Sequence, residues 1–175
     1  MSNRKLGILG MGRIGRAVAK RARGFGMEIH YHNRTKLAAN LEEGAIYHDN
    51  IKSLFNNSEF LSINCPATKE TTNLVNEQSI NYLPDGAVVT NAARGDIIDD
   101  NAMIKAMKSG KVFALGLDVY NGEPKINPEY LKLNNLFLLP HLGSATFRTR
   151  IDMGNRAIDN LENFFNNKRP KDQVN

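Results

Sequence analysis

Four stretches of the chain carry residue types and spacings that could do chemistry. The first is Gly10-Met11-Gly12-Arg13-Ile14-Gly15, which follows a short apolar run and opens a segment with helical spacing. In that context each glycine has a separate use. Gly10 allows a tight turn, Gly12 lets a pyrophosphate approach the backbone, and Gly15 lets the helix lie close to the strand. Free amides at the helix start then face the phosphate charge. A glycine turn with a purely structural role is the competing reading; the flanking strand and helix favour dinucleotide binding. About 20 residues further on, where such sites usually carry a carboxylate for the adenosine ribose, stand Asn33, Arg34 and Thr35. A carboxylate there would repel a 2′-phosphate, whereas Arg34 can pair with one, and Asn33 and Thr35 can donate further hydrogen bonds. NADP(H) is therefore the expected cofactor, with NAD(H) still possible and a solvated turn arginine as the bland alternative.

The other three stretches lie at the ends of later apolar runs. Arg94 sits in NAARGDIIDD, Asp118 in LGLDVY, Glu123 in the YNGEP loop that follows, and His141 in LPHLGSAT. Parallel sheets bind ligands at the carboxyl edge of their strands, so a cation, carboxylates and an imidazole would meet where the glycine loop holds a cofactor. An imidazole exchanges protons at neutral pH, a neighbouring carboxylate orients it, and an arginine grips a carboxylate substrate. Together these residues point to a redox site. Alone, Arg94 reads better as a surface ion-pair residue. His30, His32 and His48 lack such context and read as strand or surface residues.

The elements that must position these groups alternate apolar runs with helical spacing, the rhythm of a parallel sheet covered by helices. Strands are expected at Leu6 to Leu9, Glu28 to His32, Ala45 to Tyr47, residues 59 to 64, Ala87 to Thr90, Val112 to Leu117 and Leu136 to Leu139. Helices are expected from Ile14 to Gly24, Lys36 to Glu43, Asn76 to Leu83, Asn101 to Ser109 and about Phe147 to Asn166, with only a short crossover between the third and fourth strands. The last helix carries an apolar stripe through Phe147, Ile151, Ile158, Leu161 and Phe165 that calls for burial or a partner.

Composition narrows the function classes. The 175 residues contain 23 Lys and Arg against 18 Asp and Glu, a net charge of +5, but the excess is scattered and lacks interleaved aromatics, which argues against nucleic acid. One cysteine, Cys65, excludes an internal disulfide and a thiolate-rich metal cluster, so no metal is expected and a reducing, cytoplasmic setting fits. No apolar run approaches the roughly 18 residues of a membrane span, and Arg13 and Arg16 interrupt any signal-like start.

LGILGMGRIG, YHNRT, LSINCPATKETTNLVN, LPDGAVVTNAARGDIIDD, GLDVYNGEP and LPHLGSATFRTR occur in this order over nearly the whole chain. In that order and spacing they resemble the cofactor-binding domain of the D-isomer-specific 2-hydroxyacid dehydrogenase family, most of all its glyoxylate and hydroxypyruvate reductase branch. The resemblance implies a doubly wound parallel sheet of the Rossmann type, in three α/β/α layers. It implies hydride transfer between a nicotinamide cofactor and a small 2-oxo or 2-hydroxy acid. By position, Arg94 would bind substrate, Glu123 would keep His141 protonated and aimed, and His141 would donate the proton. Gly10, Gly12, Arg13, Ile14 and Gly15 would serve the pyrophosphate, Asn33 to Thr35 the adenosine end, Cys65 and Pro66 the ribose region, and Ala93, Asp118 and Gly143 the nicotinamide side. Cys65 is then a lining residue. Ala67 stands where the family commonly has a larger apolar residue, a local difference in packing. Residues 1–167 would form the cofactor domain and 168–175 a tail, with the family's N-terminal substrate domain absent; a homodimer with good cofactor binding and little turnover is expected. A non-catalytic dinucleotide-binding or dimerisation module is the alternative, and phosphonate-oxidising or formate-oxidising relatives share these motifs.

Overall fold

A computed structural model describes residues 2–174, which form two compact units, residues 2–140 and 141–174. The first unit holds seven strands: β1 (Lys5–Leu9), β2 (Glu28–His32), β3 (Ile46–Tyr47), β4 (Phe60–Ile63), β5 (Ala87–Asn91), β6 (Val112–Leu117) and β7 (Leu136–Leu138). All neighbours pair in parallel, in the order β3-β2-β1-β4-β5-β6-β7. The helices of this unit are α1 (Arg13–Gly24), α2 (Ala39–Glu42), α3 (Ile51–Asn56), α4 (Glu77–Ile80) and α5 (Asp100–Ser109). This is the doubly wound α/β sheet that the sequence rhythm implies, with the strand order reversing between β1 and β4.

Alternation along the strands sorts side chains into two cores. Leu6, Ile8, Ile29 and Tyr31 pack with Ala19 and Ala22 of α1. Leu61, Ile63, Val89 and Leu115 pack on the opposite face with Leu54 and Phe55 of α3, Ile80 of α4, and Met103 and Met107 of α5. Helices thus lie on both faces. The layer formed by α1 sits on β1 and β2; farther out, Phe113 of β6 and Phe137 of β7 are each 66% exposed.

Two crossovers differ from the sequence expectation. The helix expected from Lys36 to Glu43 shrinks to Ala39–Glu42, because Ala38 is extended and the Leu37 amide donates to the Tyr31 hydroxyl instead of entering a helix. Between β3 and β4 the chain forms α3 where only a short link is expected. Its signal is local: the Asn50 side chain accepts from the Ser53 amide as an N-cap, and Leu54 and Phe55 enter the core, a cap worth roughly 1 kcal/mol. Asn76 caps α4 with a reciprocal Ser79 contact, and Asp99 caps α5. In the second unit, α6 (Phe147–Phe165) is capped by Thr146, and none of its residues is buried.

His30 lies on β2 as the strand reading expects, but neither it nor His48 is a surface residue. Both are buried and form one chain of hydrogen bonds: Ser53 Oγ to His48 Nδ1 at 2.7 Å, His48 Nε2 to His30 Nδ1 at 2.8 Å, and His30 Nε2 to Glu28 Oε1 at 2.7 Å. Because Glu28 can only accept when ionised, His30 Nε2 carries the proton, His48 Nε2 donates to His30, and Ser53 donates to His48. Burial lowers both imidazole pKa values; Glu28 partly offsets this for His30, while the His30 imidazole pushes His48 further down. With folded-state values below the unfolded 6.5, the unfolded chain takes up protons first as the pH falls. Stability is therefore full above the unfolded pKa and declines below it. Thermal melts should fall between about pH 7.5 and about pH 5.5, and His48→Gln should flatten that decline; a parallel decline in the variant would place its origin elsewhere.

Candidate functional site

Reversal of the strand order between β1 and β4 opens a crevice at their carboxyl ends, where doubly wound sheets place ligands. A cavity of about 510 Å³ occupies it, lined by Gly10, Met11 and Gly12 after β1, His32 to Thr35 after β2, Asn64 to Pro66 after β4, and Thr68, Glu70 and Thr71 of the next loop. That volume falls within the roughly 300–1,000 Å³ of small-molecule sites.

Each motif glycine meets a different constraint. At Gly10, φ is +96°, and a Cβ would come within 2.5 Å of the Cys65 amide nitrogen. At Gly15 a Cβ would lie 2.3 Å from the Gly10 carbonyl oxygen, so the helix could not sit on the strand. Gly12 differs: a Cβ there meets no protein atom within 4 Å. Its bareness serves no packing purpose, which fits a position left open to a phosphate. Gly12 is also the N-cap of α1 and supplies no side-chain cap, so the first-turn amides are left for an anion. Arg13 and Ile14 are exposed on that first turn and do not line the cavity.

Asn33 does something the sequence alone does not show. Its Oδ1 accepts the Met11 amide at 2.7 Å, tying the glycine loop to the end of β2, while the Gly10 amide donates to the His32 carbonyl at 3.0 Å. Arg34 and Thr35 are exposed and line the cavity. On the far side, Thr71 closes the loop after Pro66 by donating to the Pro66 carbonyl and accepting the Thr68 amide. Burial pushes the Cys65 thiol up, keeping it protonated as a lining group. Thr68, Glu70 and Thr71 have no periodic signal in sequence; the fold back over the cavity brings them there.

Around the ends of β5 and β6 the structure assembles Ala93, Arg94, Asp118 and Glu123. The buried Asn91 accepts from the Ala93 amide at 3.0 Å and donates to the Arg94 carbonyl at 2.8 Å, which shapes the turn that presents the exposed Arg94. Gly95 follows because a Cβ would lie 2.0 Å from the Tyr120 carbonyl carbon. The two loops therefore touch backbone to backbone. The Asp118 amide donates to the Asn91 carbonyl, the Tyr120 amide to Glu123 Oε1 at 2.8 Å, and the Tyr120 hydroxyl to the Leu139 carbonyl at 2.5 Å. Asp118 is buried and lines a separate cavity of 180 Å³ with Ala92 and Leu139. Neither Asn91 nor Tyr120 stands out in the sequence; the signal for Asn91 is a polar residue at the end of an apolar strand. His141 and Gly143 belong to the second unit, where His141 has φ +56°, a left-handed conformation uncommon outside glycine.

Among the described residues there is no group of three His, Cys, Asp or Glu placed to hold a metal, and no helix is long and apolar enough to cross a membrane.

Residues 1–143 match the family model "D-isomer specific 2-hydroxyacid dehydrogenase, NAD binding domain". The chain is 42% identical over 167 residues to the glycerate dehydrogenase of Hyphomicrobium methylovorum, covering 94% of this chain and 52% of that protein. It is 43% identical over 176 residues to the glyoxylate reductase of Thermococcus litoralis, covering 100% and 53% respectively. Among solved structures, the NADPH-dependent glyoxylate/hydroxypyruvate reductase of Sinorhizobium meliloti, in complex with NADP and malonate, superposes with a TM-score of 0.88 at 34% identity, over 93% of this chain and 50% of that one. The chain spans about half the length of the relatives it matches. With its doubly wound sheet, its glycine loop at the strand reversal and this match over residues 1–143, the chain belongs to the D-isomer-specific 2-hydroxyacid dehydrogenase family, as an NAD-binding domain.

Proposed function

We propose that the chain binds NADP(H) in preference to NAD(H), as the cofactor half of a reductase acting on a small 2-oxo acid such as glyoxylate or hydroxypyruvate. The observation that carries the cofactor preference is the end of β2, where no carboxylate stands and Arg34 and Thr35 border the cavity. A carboxylate at position 33 would repel a 2′-phosphate; the amide of Asn33 adds no charge, and Arg34 offers a fork of donors that matches phosphate. The NADPH dependence of the Sinorhizobium meliloti relative supports the same reading.

When bound, the nicotinamide supplies or accepts the hydride. Arg94 holds the substrate carboxylate by paired hydrogen bonds, and its guanidinium polarises the 2-oxo group. His141 gives its proton to the substrate oxygen in reduction and takes it back in oxidation, and the Glu123 carboxylate keeps the imidazole oriented. On this reading Ala93, Asp118 and Gly143 would serve the nicotinamide side, and Arg13 and Ile14 would offer first-turn backbone to the pyrophosphate. The protein works in the cytoplasm as a homodimer, a state supported by exposed Phe147, Ile151, Ile158, Leu161 and Phe165 on α6. Fast turnover requires a water-poor cleft with fixed reactants, and relatives about twice as long contain further chain to build it.

Three outcomes follow. Fluorescence titration, free of tryptophan signal because the chain has none, should show NADPH binding about tenfold more tightly than NADH, with Arg34→Ala removing the difference; equal affinities in the parent chain would refute the preference. Gly12→Ala should melt within about 0.5 kcal/mol of the parent yet lose NADPH binding, whereas Gly15→Ala should lose about 1–3 kcal/mol of stability. Reduction of glyoxylate by the 175-residue chain should be far slower than by a full-length relative assayed alongside. Arg94→Ala should erase the remainder without weakening NADPH; comparable rates, or a variant that keeps its activity, would contradict the assignment.

A further inference from the structure

Between β2 and α2 the chain passes through Asn33, Arg34, Thr35, Lys36 and Leu37 with its middle exposed and its two ends held. Two tyrosines hold them. The Tyr47 hydroxyl donates to the Asn33 carbonyl at 3.4 Å, and the Tyr31 hydroxyl accepts the Leu37 amide at 3.0 Å. The rings lie 5.3 Å apart between centroids, so the grips at the two ends rest on one another.

Tyr31 is the firmer of the two. It is fully buried, at 0% exposure, and its hydroxyl donates to Glu42 Oε1 at 2.5 Å. Glu42 is the last residue of α2, a helix of four residues that contributes nothing buried to the core. Its carboxylate also lies 3.8 Å from Lys36 Nζ, and its carbonyl accepts from Arg23 Nη2 at 2.7 Å, which ties the short helix back to α1. Burial and the adjacent Glu42 carboxylate push the Tyr31 pKa up to about 12, so the hydroxyl stays a donor at neutral pH. The β2 end, the Arg34 loop and α2 are thereby joined through one buried oxygen.

An exposed arginine on a free loop would have to be ordered each time a phosphate docks, and that entropy cost would cancel much of the contact. A loop with fixed ends lowers the cost for the ligand that touches its middle. We propose that the Tyr31 hydroxyl, with Glu42, is a positioning strut that sets how strongly the site discriminates a phosphorylated from an unphosphorylated adenosine ribose. This rests on the reading of Arg34 as the partner of the 2′-phosphate. Neither Tyr31 nor Glu42 touches the ligand in this account; they act through the placement of Arg34 and Thr35.

The test compares two probes that differ only in the 2′-phosphate: adenosine 2′,5′-bisphosphate and adenosine 5′-monophosphate, titrated calorimetrically into the parent chain and Tyr31→Phe. The variant should bind the bisphosphate about tenfold more weakly while the monophosphate changes by less than about twofold. Equal weakening of both probes would reduce Tyr31 to a general structural role, and an unchanged ratio would overturn the strut while leaving the Arg34 reading intact. A parent chain that binds both probes equally would instead overturn the Arg34 reading, and the strut with it. Should Tyr31→Phe fail to fold, Glu42→Ala removes the acceptor from the less buried end and must produce the same selective loss; a Glu42→Ala protein with the parent's ratio would refute the proposal.

Discussion

The cofactor crevice depends on how the backbone amides between β1 and α1 are satisfied. A chain leaving a buried strand for a helix exposes donors that cannot all find partners in the turn. Here the Gly10 amide is taken by the His32 carbonyl and the Met11 amide by the Asn33 side chain. The first-turn amides of α1 then follow Gly12 without any side-chain cap. Satisfying the first two amides internally fixes the loop. Leaving the others uncapped gives it an affinity for anions, and the rest of the site is arranged around that division. Cys65 approaches so closely that only a glycine fits at position 10, and Thr71 folds the next loop over the opening.

Much of this was legible because its signals are local. Seven strands read as short apolar runs between turn residues, and the glycine loop announced itself by spacing and by its place between strand and helix. What stayed hidden depended on residues distant in sequence. The stretch around Asn50 to Asn56 holds a cap and three apolar residues, too little periodicity to mark α3 until β1 and β2 lie beneath it. The second helix read as longer than it is because Leu37 and Ala38 have nothing against helix formation except the Tyr31 hydroxyl. His30 and His48, 18 residues apart, became partners only through the pairing of β2 with β3.

The site residues divided along the same line. Identity and order pointed to Gly10, Gly12, Gly15, Arg34 and Arg94, since charge or lack of a side chain is written directly in the sequence. Residues that hold others in place were not visible as such. Asn33 reads in sequence as a ligand donor, but its side-chain Oδ1 accepts the Met11 amide, leaving the side-chain nitrogen to face a ligand. Asn91 looked like the end of a strand.

These two asparagines show why an amide suits both corners. Each stands at the end of a strand ahead of an arginine; Asn91 organises the backbone that carries Arg94, and Asn33 ties the glycine loop to the strand end that precedes Arg34. Asn91 must accept from the Ala93 amide and donate to the Arg94 carbonyl at once, which an ionised carboxylate cannot do because it only accepts. Asn33 makes only the accepting bond, so an aspartate could replace it in geometry. It could not replace it in charge: a carboxylate between the Met11 amide and Arg34 would draw the guanidinium toward itself and raise the cost of bringing a phosphate close. The first corner therefore requires an amide for its hydrogen-bonding pattern and the second for its neutrality. Neither amide adds a charge beside its arginine, although Arg94 still spends one N–H on the Ala93 carbonyl.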